Sequence, residues 1–186
     1  MKKVFIVHGL GGRPNGGWRP WLMAELAKKD TYACALSMPD PEEPVCAEWV
    51  GEIERHVGRS LRDEVYLVGH SLGVAAILRY LEAMPEKHKV SGAVLVSGRC
   101  EKPEDGRLPT FYEVPFDFGT IRSGSSKFAV IHGDDDAVVP VSNAEMFALE
   151  LGCEPIIVRN GGHLNGSSGR WTLPQCMEAL DKMMSG

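Results

Sequence analysis

The sequence predicts a three-layer α/β fold around one mostly parallel sheet of about six strands. Short runs rich in Val and Ile, such as Lys3–Val7 and Gly92–Val96, alternate with longer segments of helical period. That is the pattern of βαβ units whose strands are buried on both faces. At 186 residues the chain matches one domain with one sizeable core, so residues 1–186 are read as a single domain.

Strands are expected at Lys3–Val7, Tyr32–Leu36, Glu64–Val68, Gly92–Val96, Phe128–Ile131 and Pro155–Val158. Helices are expected at Pro20–Lys28, Ala47–Leu61, Leu72–Met84, Asn143–Leu151 and Leu173–Met184. Pro20 suits an opening turn. Ser142 and Thr172 stand where N-caps belong, and Gly152 where a helix stops. The stretch from Gly98 to Ser126 lacks clear period and is expected to be a loop over one end of the sheet.

Composition narrows the function classes. The chain is 44% hydrophobic and 24% charged, as expected of an ordinary globular protein. A net charge of -5 with no Lys/Arg cluster argues against a nucleic-acid partner. The apolar run Val4–Val7 is too short for a signal h-region, and no segment approaches a membrane span, so a cytoplasmic protein without a membrane partner is expected. Five scattered cysteines without a CxxC pair fit a reducing compartment and thiols with no chemical task.

The chemistry begins at Gly69-His70-Ser71-Leu72-Gly73, which follows an apolar strand and opens a helical run. In a chain with 21 glycines the GxSxG pattern alone is weak, but strand–turn–helix is the context a nucleophile elbow requires. Its glycines are expected because Cβ atoms there would collide with the tight turn. A serine hydroxyl needs a base, and the base an orienting acceptor. His132-Gly133-Asp134-Asp135-Asp136-Ala137-Val138-Val139-Pro140 follows the fifth strand and Gly161-Gly162-His163-Leu164-Asn165 the sixth. Ser, Asp, His is the chain order of α/β-hydrolases, and in a parallel sheet all three would lie past the carboxyl ends of strands. Ser71 is therefore read as nucleophile, His163 as base and Asp136 as orienter, with Asp134 and Asp135 as turn formers or solvated neighbours.

His8-Gly9-Leu10-Gly11-Gly12, after the first strand, is where such an enzyme needs an oxyanion donor. The Leu10 amide is assigned to it, with that of Leu72 as partner. This turn has neither the GxGxxG nor the GKS/T pattern of nucleotide binders. His8, His70, His132 and His163 fall near strand ends without zinc-type spacing, so neither a metal nor an organic cofactor is expected. Trp18, Phe111, Tyr112, Phe116 and Phe118 are candidates to line an apolar substrate pocket, or equally to pack the loop onto the sheet.

Together HGLGG, GGWRPWL at Gly16–Leu22, SMPDPEEP at Ser37–Pro44 with Trp49 beyond, GHSLG, DDDAVVP and GGHLN carry a resemblance. The chain is similar over nearly its whole length to the small serine hydrolases related to retinoblastoma-binding protein nine, a family with bacterial members. The resemblance implies a compact α/β-hydrolase fold without a large lid domain, an esterase-like activity and a triad on Ser71, Asp136 and His163. The mammalian member binds retinoblastoma protein through LxCxE. Here Leu151-Gly152-Cys153-Glu154-Pro155 lacks the final glutamate, so that partner is not carried over.

The expected reaction is hydrolysis of a small-molecule ester or related acyl compound through an acyl-enzyme. Peptidase, amidase and thioesterase chemistry use the same groups. The reading from another class is a protein- or ligand-binding module that kept the scaffold and lost the reaction.

Overall fold

Val4 to Val7 are all buried, and so is every residue of Gly92–Val96. Continuous apolar strands of this kind need cover on both faces of a sheet. The computed structural model, which describes residues 1–60, 62–85, 87–103 and 108–185, supplies it. Its strands are β1 (Lys2–Val7), β2 (Tyr32–Ala35), β3 (Glu64–His70), β4 (Gly92–Val96), β5 (Phe128–Gly133) and β6 (Pro155–Val158). They form one open sheet in the order β2-β1-β3-β4-β5-β6, every neighbouring pair parallel.

Helices α2 (Cys46–Val57), α3 (Leu72–Ala83), α4 (Phe118–Gly124) and α5 (Ser142–Leu151) bury their apolar groups in the core on one face. Helices α1 (Arg19–Ala27) and α6 (Pro174–Ser185) cover the other. In α2 the buried Trp49, Ile53 and Val57 recur every four residues, a single stripe. In α3 burial runs from Leu72 to Leu78 without a break, because this helix is packed against β3, α2 and α4 at once.

Register places the site. Val7 pairs with Gly69, His70 with Val96, Ile131 with Val96 and Val158 with Gly133, so five strands end along one edge. After β1 the chain moves outward to β2, whereas after β3 it moves to β4 on the other side. The loops after β1 and β3 diverge there, and such a switch point leaves a crevice.

Several local expectations need correction. The region from Gly98 to Ser126 is not loop throughout. It holds a 3-10 turn at Pro109–Phe111 and then α4, the crossover helix between β4 and β5; residues 104–107 lie outside the described ones. With glycines at 119 and 124 and β-branched Thr120 and Ile121, α4 has little intrinsic propensity. It starts because Asp117 accepts the Thr120 N–H at 3.1 Å. Helix α2 ends at Val57 in a 3-10 turn, Gly58–Ser60, and Leu61 lies outside the described residues.

Ser142 does not cap α5. Val141 occupies that position without a side-chain bond, the chain already turning from Pro140, whose carbonyl accepts the Asn143 N–H. Thr172 lies one residue outside the α6 cap, where the Leu173 carbonyl takes the N–H of Cys176. Gly152 ends α5 as expected, at φ 69°. Strand β3 runs on through His70, and β5 through His132 and Gly133, which fixes the backbone of both histidines in the ladder. Among the described residues no helix is long and apolar enough to cross a membrane.

Candidate active site

Ser71 joins β3 to α3 at φ 54° and ψ -120°. A non-glycine residue in such a conformation costs about 1–3 kcal/mol and persists only where its surroundings impose it. Here its N–H donates to the Val96 carbonyl at 2.9 Å, and its carbonyl accepts the Val74 N–H at 3.0 Å. A Cβ on Gly69 would lie 2.8 Å from the Gly73 carbonyl oxygen. One on Gly73 would strike the Val7 carbonyl oxygen. The first glycine thus serves the turn, whereas the second serves contact with β1 and not the turn itself.

Ser71 Oγ lies 2.9 Å from His163 Nε2, and His163 Nδ1 lies 2.8 Å from Asp136 Oδ2. The acceptor carboxylate requires the hydrogen on Nδ1, which leaves the Nε2 lone pair facing the hydroxyl. Asp136 is enclosed, its side chain 0% exposed. Burial by itself would raise its pKa. Donors from His132 and His163 and the Val139 N–H outweigh that and hold the carboxyl well below its usual range. Oδ1 accepts from Val138 and Val139 N–H at 2.8 and 2.9 Å.

The loop bearing His163 is gripped from several sides. Asp134 accepts the Asn160 N–H at 2.8 Å and Asp135 the Gly162 N–H at 2.7 Å. The three consecutive aspartates therefore all reach the β6 loop; two of them are ties, not merely turn formers. His70 Nε2–H donates to the His163 carbonyl at 2.9 Å, Trp18 Nε1–H to the Leu164 carbonyl at 2.8 Å, and Ser168 Oγ accepts the His163 N–H at 3.2 Å. Burial, joined by the nearby His163, pushes His70 down to about 3. It is a neutral structural donor at neutral pH.

The turn after β1 presses on Ser71: a Cβ on Gly9 would lie 2.8 Å from Ser71 Cβ. His8 braces this turn, with Nδ1 2.8 Å from the Gly9 carbonyl and Nε2 3.4 Å from the Met38 N–H. Burial lowers its pKa. Leu10 and Leu72 both line the cleft above Ser71. Among the described residues neither N–H is taken by a backbone carbonyl outside the regular elements, and Leu72 opens α3, where amides lack helical partners.

The cleft measures about 620 Å³ and contains Ser71 and His163. Of the aromatic candidates only Tyr112 lines it. Trp18 and Phe111 are wholly buried on opposite faces of the sheet. Phe116 lies beneath the Arg79 guanidinium at 4.2 Å, and Phe118 packs edge-on to Phe147. The walls are instead Leu108 and the Val138–Pro140 segment, with Arg99 among them. Aromatic residue type alone could not separate wall from core. His70, Asp134 and Asp135 had no local signal either, since their partners lie on another loop, and His132 meets Asp136 and the Val139 carbonyl only because the loop after its own strand folds back on it. The cysteines carry free thiols, four half-buried and Cys176 buried.

This fold, with a serine elbow, an imidazole and a buried carboxylate converging at one sheet edge, defines an α/β-hydrolase. The model of the serine hydrolase family matches residues 4–182, and the chain belongs to that family. YdeN of Bacillus subtilis strain 168 is 32% identical over 185 residues, covering 99% of this chain and 97% of its own. The crystal structure of that gene product matches at a TM-score of 0.95 over 100% of both chains. Serine hydrolase RBBP9 of Rattus norvegicus is 25% identical over 170 residues, 89% of this chain and 88% of its own. Est1E from Butyrivibrio proteoclasticus shares the fold at a TM-score of 0.77 and 13% identity, over 100% of this chain and 89% of its own.

Proposed function

We propose that this serine hydrolase is carboxylesterase-like and cleaves small acyl compounds through a Ser71–His163–Asp136 triad. What supports the reading is the unbroken hydrogen-bonded chain from Ser71 Oγ through His163 to Asp136. As Oγ bonds to the substrate carbonyl carbon, its proton passes to Nε2, and Asp136 stabilises the imidazolium. The N–H groups of Leu10 and Leu72 receive the oxyanion. His163 then returns the proton to the departing alcohol, leaving an acyl-Ser71 ester that water cleaves by the same route. The route uses only side chains, backbone amides and water.

With no large lid domain among the described residues to shelter a long chain over the cleft, short acyl groups suit the site better than long ones. Acetyl and butyryl esters are therefore expected to be hydrolysed faster than long-chain ones, and the reverse order would refute this preference. A fluorophosphonate probe tests the reaction itself. It is expected to label the wild-type protein and not Ser71→Ala. Absence of labelling on folded wild-type protein would overturn the reading and favour a binding module.

A further inference from the structure

Arg99 stands among the residues lining the cleft that holds Ser71 and His163. It follows β4, whose neighbours β3 and β5 lead to the nucleophile and to Asp136. Its position is built. The next residue, Cys100, donates its N–H to Asn143 Oδ1 at 2.8 Å, and Asn143 Nδ2 donates to the Pro140 carbonyl at 3.0 Å. Arg99 Nη2 donates to the Val138 carbonyl at 2.7 Å, in the same segment whose amides grip Asp136. The guanidinium is thus tied to the frame that sets the triad.

Its chemical setting is distinctive. A guanidinium has five N–H donors in a planar fork suited to carboxylates, and among the described residues its hydrogen bond is to the Val138 carbonyl, from one nitrogen of the fork. Among the described residues lining the cleft there is no Asp or Glu, and the other walls include Leu10, Leu72, Leu108 and Val139. The Asp136 charge is enclosed and met by donors. Asp134 and Asp135 accept N–H groups of the β6 loop. In a chain of net charge -5, a cation at this place favours an anion locally where the rest of the surface does not.

Building on the hydrolase reading, we propose that Arg99 forms an anion subsite and that the preferred substrates are small esters carrying a carboxylate near the scissile bond. The carboxylate bonds the guanidinium while Ser71 meets the ester carbonyl.

The test compares charged and neutral esters of matched size. The pairs are 4-acetoxybenzoate with its methyl ester, and monomethyl succinate with methyl butyrate; they place the charge on the alcohol and acyl sides respectively. In at least one pair kcat/KM is expected to favour the charged ester about tenfold, the weight of one charge-assisted hydrogen bond at a partly exposed site. Arg99→Gln abolishes that ratio and Arg99→Lys restores part of it. Ratios near or below one in both pairs, or a ratio unchanged in Arg99→Gln, overturn the proposal. Binding gives a readout independent of turnover. Ser71→Ala protein is expected to bind 4-acetoxybenzoate more tightly than the methyl ester, and Ser71→Ala with Arg99→Gln to lose the difference; equal binding by the first protein overturns the subsite. Failure of the hydrolase reading shows itself separately, as no turnover of any ester and no fluorophosphonate labelling.

Discussion

His132 Nε2 lies 3.3 Å from Asp136 Oδ2, the oxygen that His163 Nδ1 approaches to 2.8 Å. The same nitrogen is 2.9 Å from the Val139 carbonyl. Both neighbours accept, so Nε2 carries the hydrogen and shares it between them. The His132 side chain is 0% exposed and its Nδ1 meets no partner among the described residues. The carboxylate is therefore held in place by two imidazoles and two backbone amides.

Replacing His132 with Phe keeps the ring and removes the donor. Ester hydrolysis is expected to fall about tenfold, the weight of one hydrogen bond to a charged group, with a lower melting temperature because the Val139 carbonyl loses its partner. Steady-state kinetics and thermal denaturation check both; unchanged kcat with lowered stability would make His132 structural only.

Asp136→Asn tests the orientation of the base. The two amides from Val138 and Val139 keep the Asn oxygen on their side, which turns the NH2 towards His163 and His132. That favours the wrong His163 tautomer, and a loss of about 10³–10⁴ in kcat is expected on the precedent of serine proteases. Retention of more than a tenth of the activity would remove Asp136 from this role.

Stability should fall with acidity through His70. Its pKa of about 3 in the fold, set by burial and then by His163, lies below the ordinary 6.5, so between these values the unfolded chain binds the extra proton. The contribution is complete above pH 6.5 and is lost as pH falls towards 3. The lowered pKa of buried His8 acts in the same direction. His70→Gln keeps a donor for the His163 carbonyl without titrating. The stability difference between pH 7 and pH 5, from urea denaturation, should shrink by on the order of 2 kcal/mol. An undiminished difference would refute the assignment.

Two glycine substitutions should move stability in opposite directions. Gly73→Ala drives a methyl group into the Val7 carbonyl, backbone that cannot swing aside, and soluble folded protein is expected to drop sharply. Gly51, exposed inside α2, has nothing within 4 Å of a Cβ. Gly51→Ala should add about 0.5–1 kcal/mol through helix propensity, raising the melting temperature by about 1–4 °C.

All six strands were legible in the sequence: the buried runs, such as Val4–Val7, advertise themselves within a few residues, and the edge strands Tyr32–Ala35 and Pro155–Val158 are short apolar segments though only partly buried. GHSLG, DDDAVVP and GGHLN were legible as loop chemistry for the same reason, and parallel pairing brings their Ser71, Asp136 and His163 within hydrogen-bond distance of one another. Helix α4 was not legible, since its start depends on Asp117 and its persistence on packing between α3 and α5.

Which side chains line the cleft was decided only by tertiary structure. Trp18 and Tyr112 are alike as amphipathic aromatics, yet one turns inward to bond Leu164 and the other faces the cleft. The same holds for His70, whose task is set by a carbonyl on another loop, for His132, against which the loop after β5 folds back, and for Arg99, placed by an asparagine on α5. Residue type and local period reveal what a segment can do; the direction a side chain takes depends on contacts between residues remote in the chain, which only packing creates.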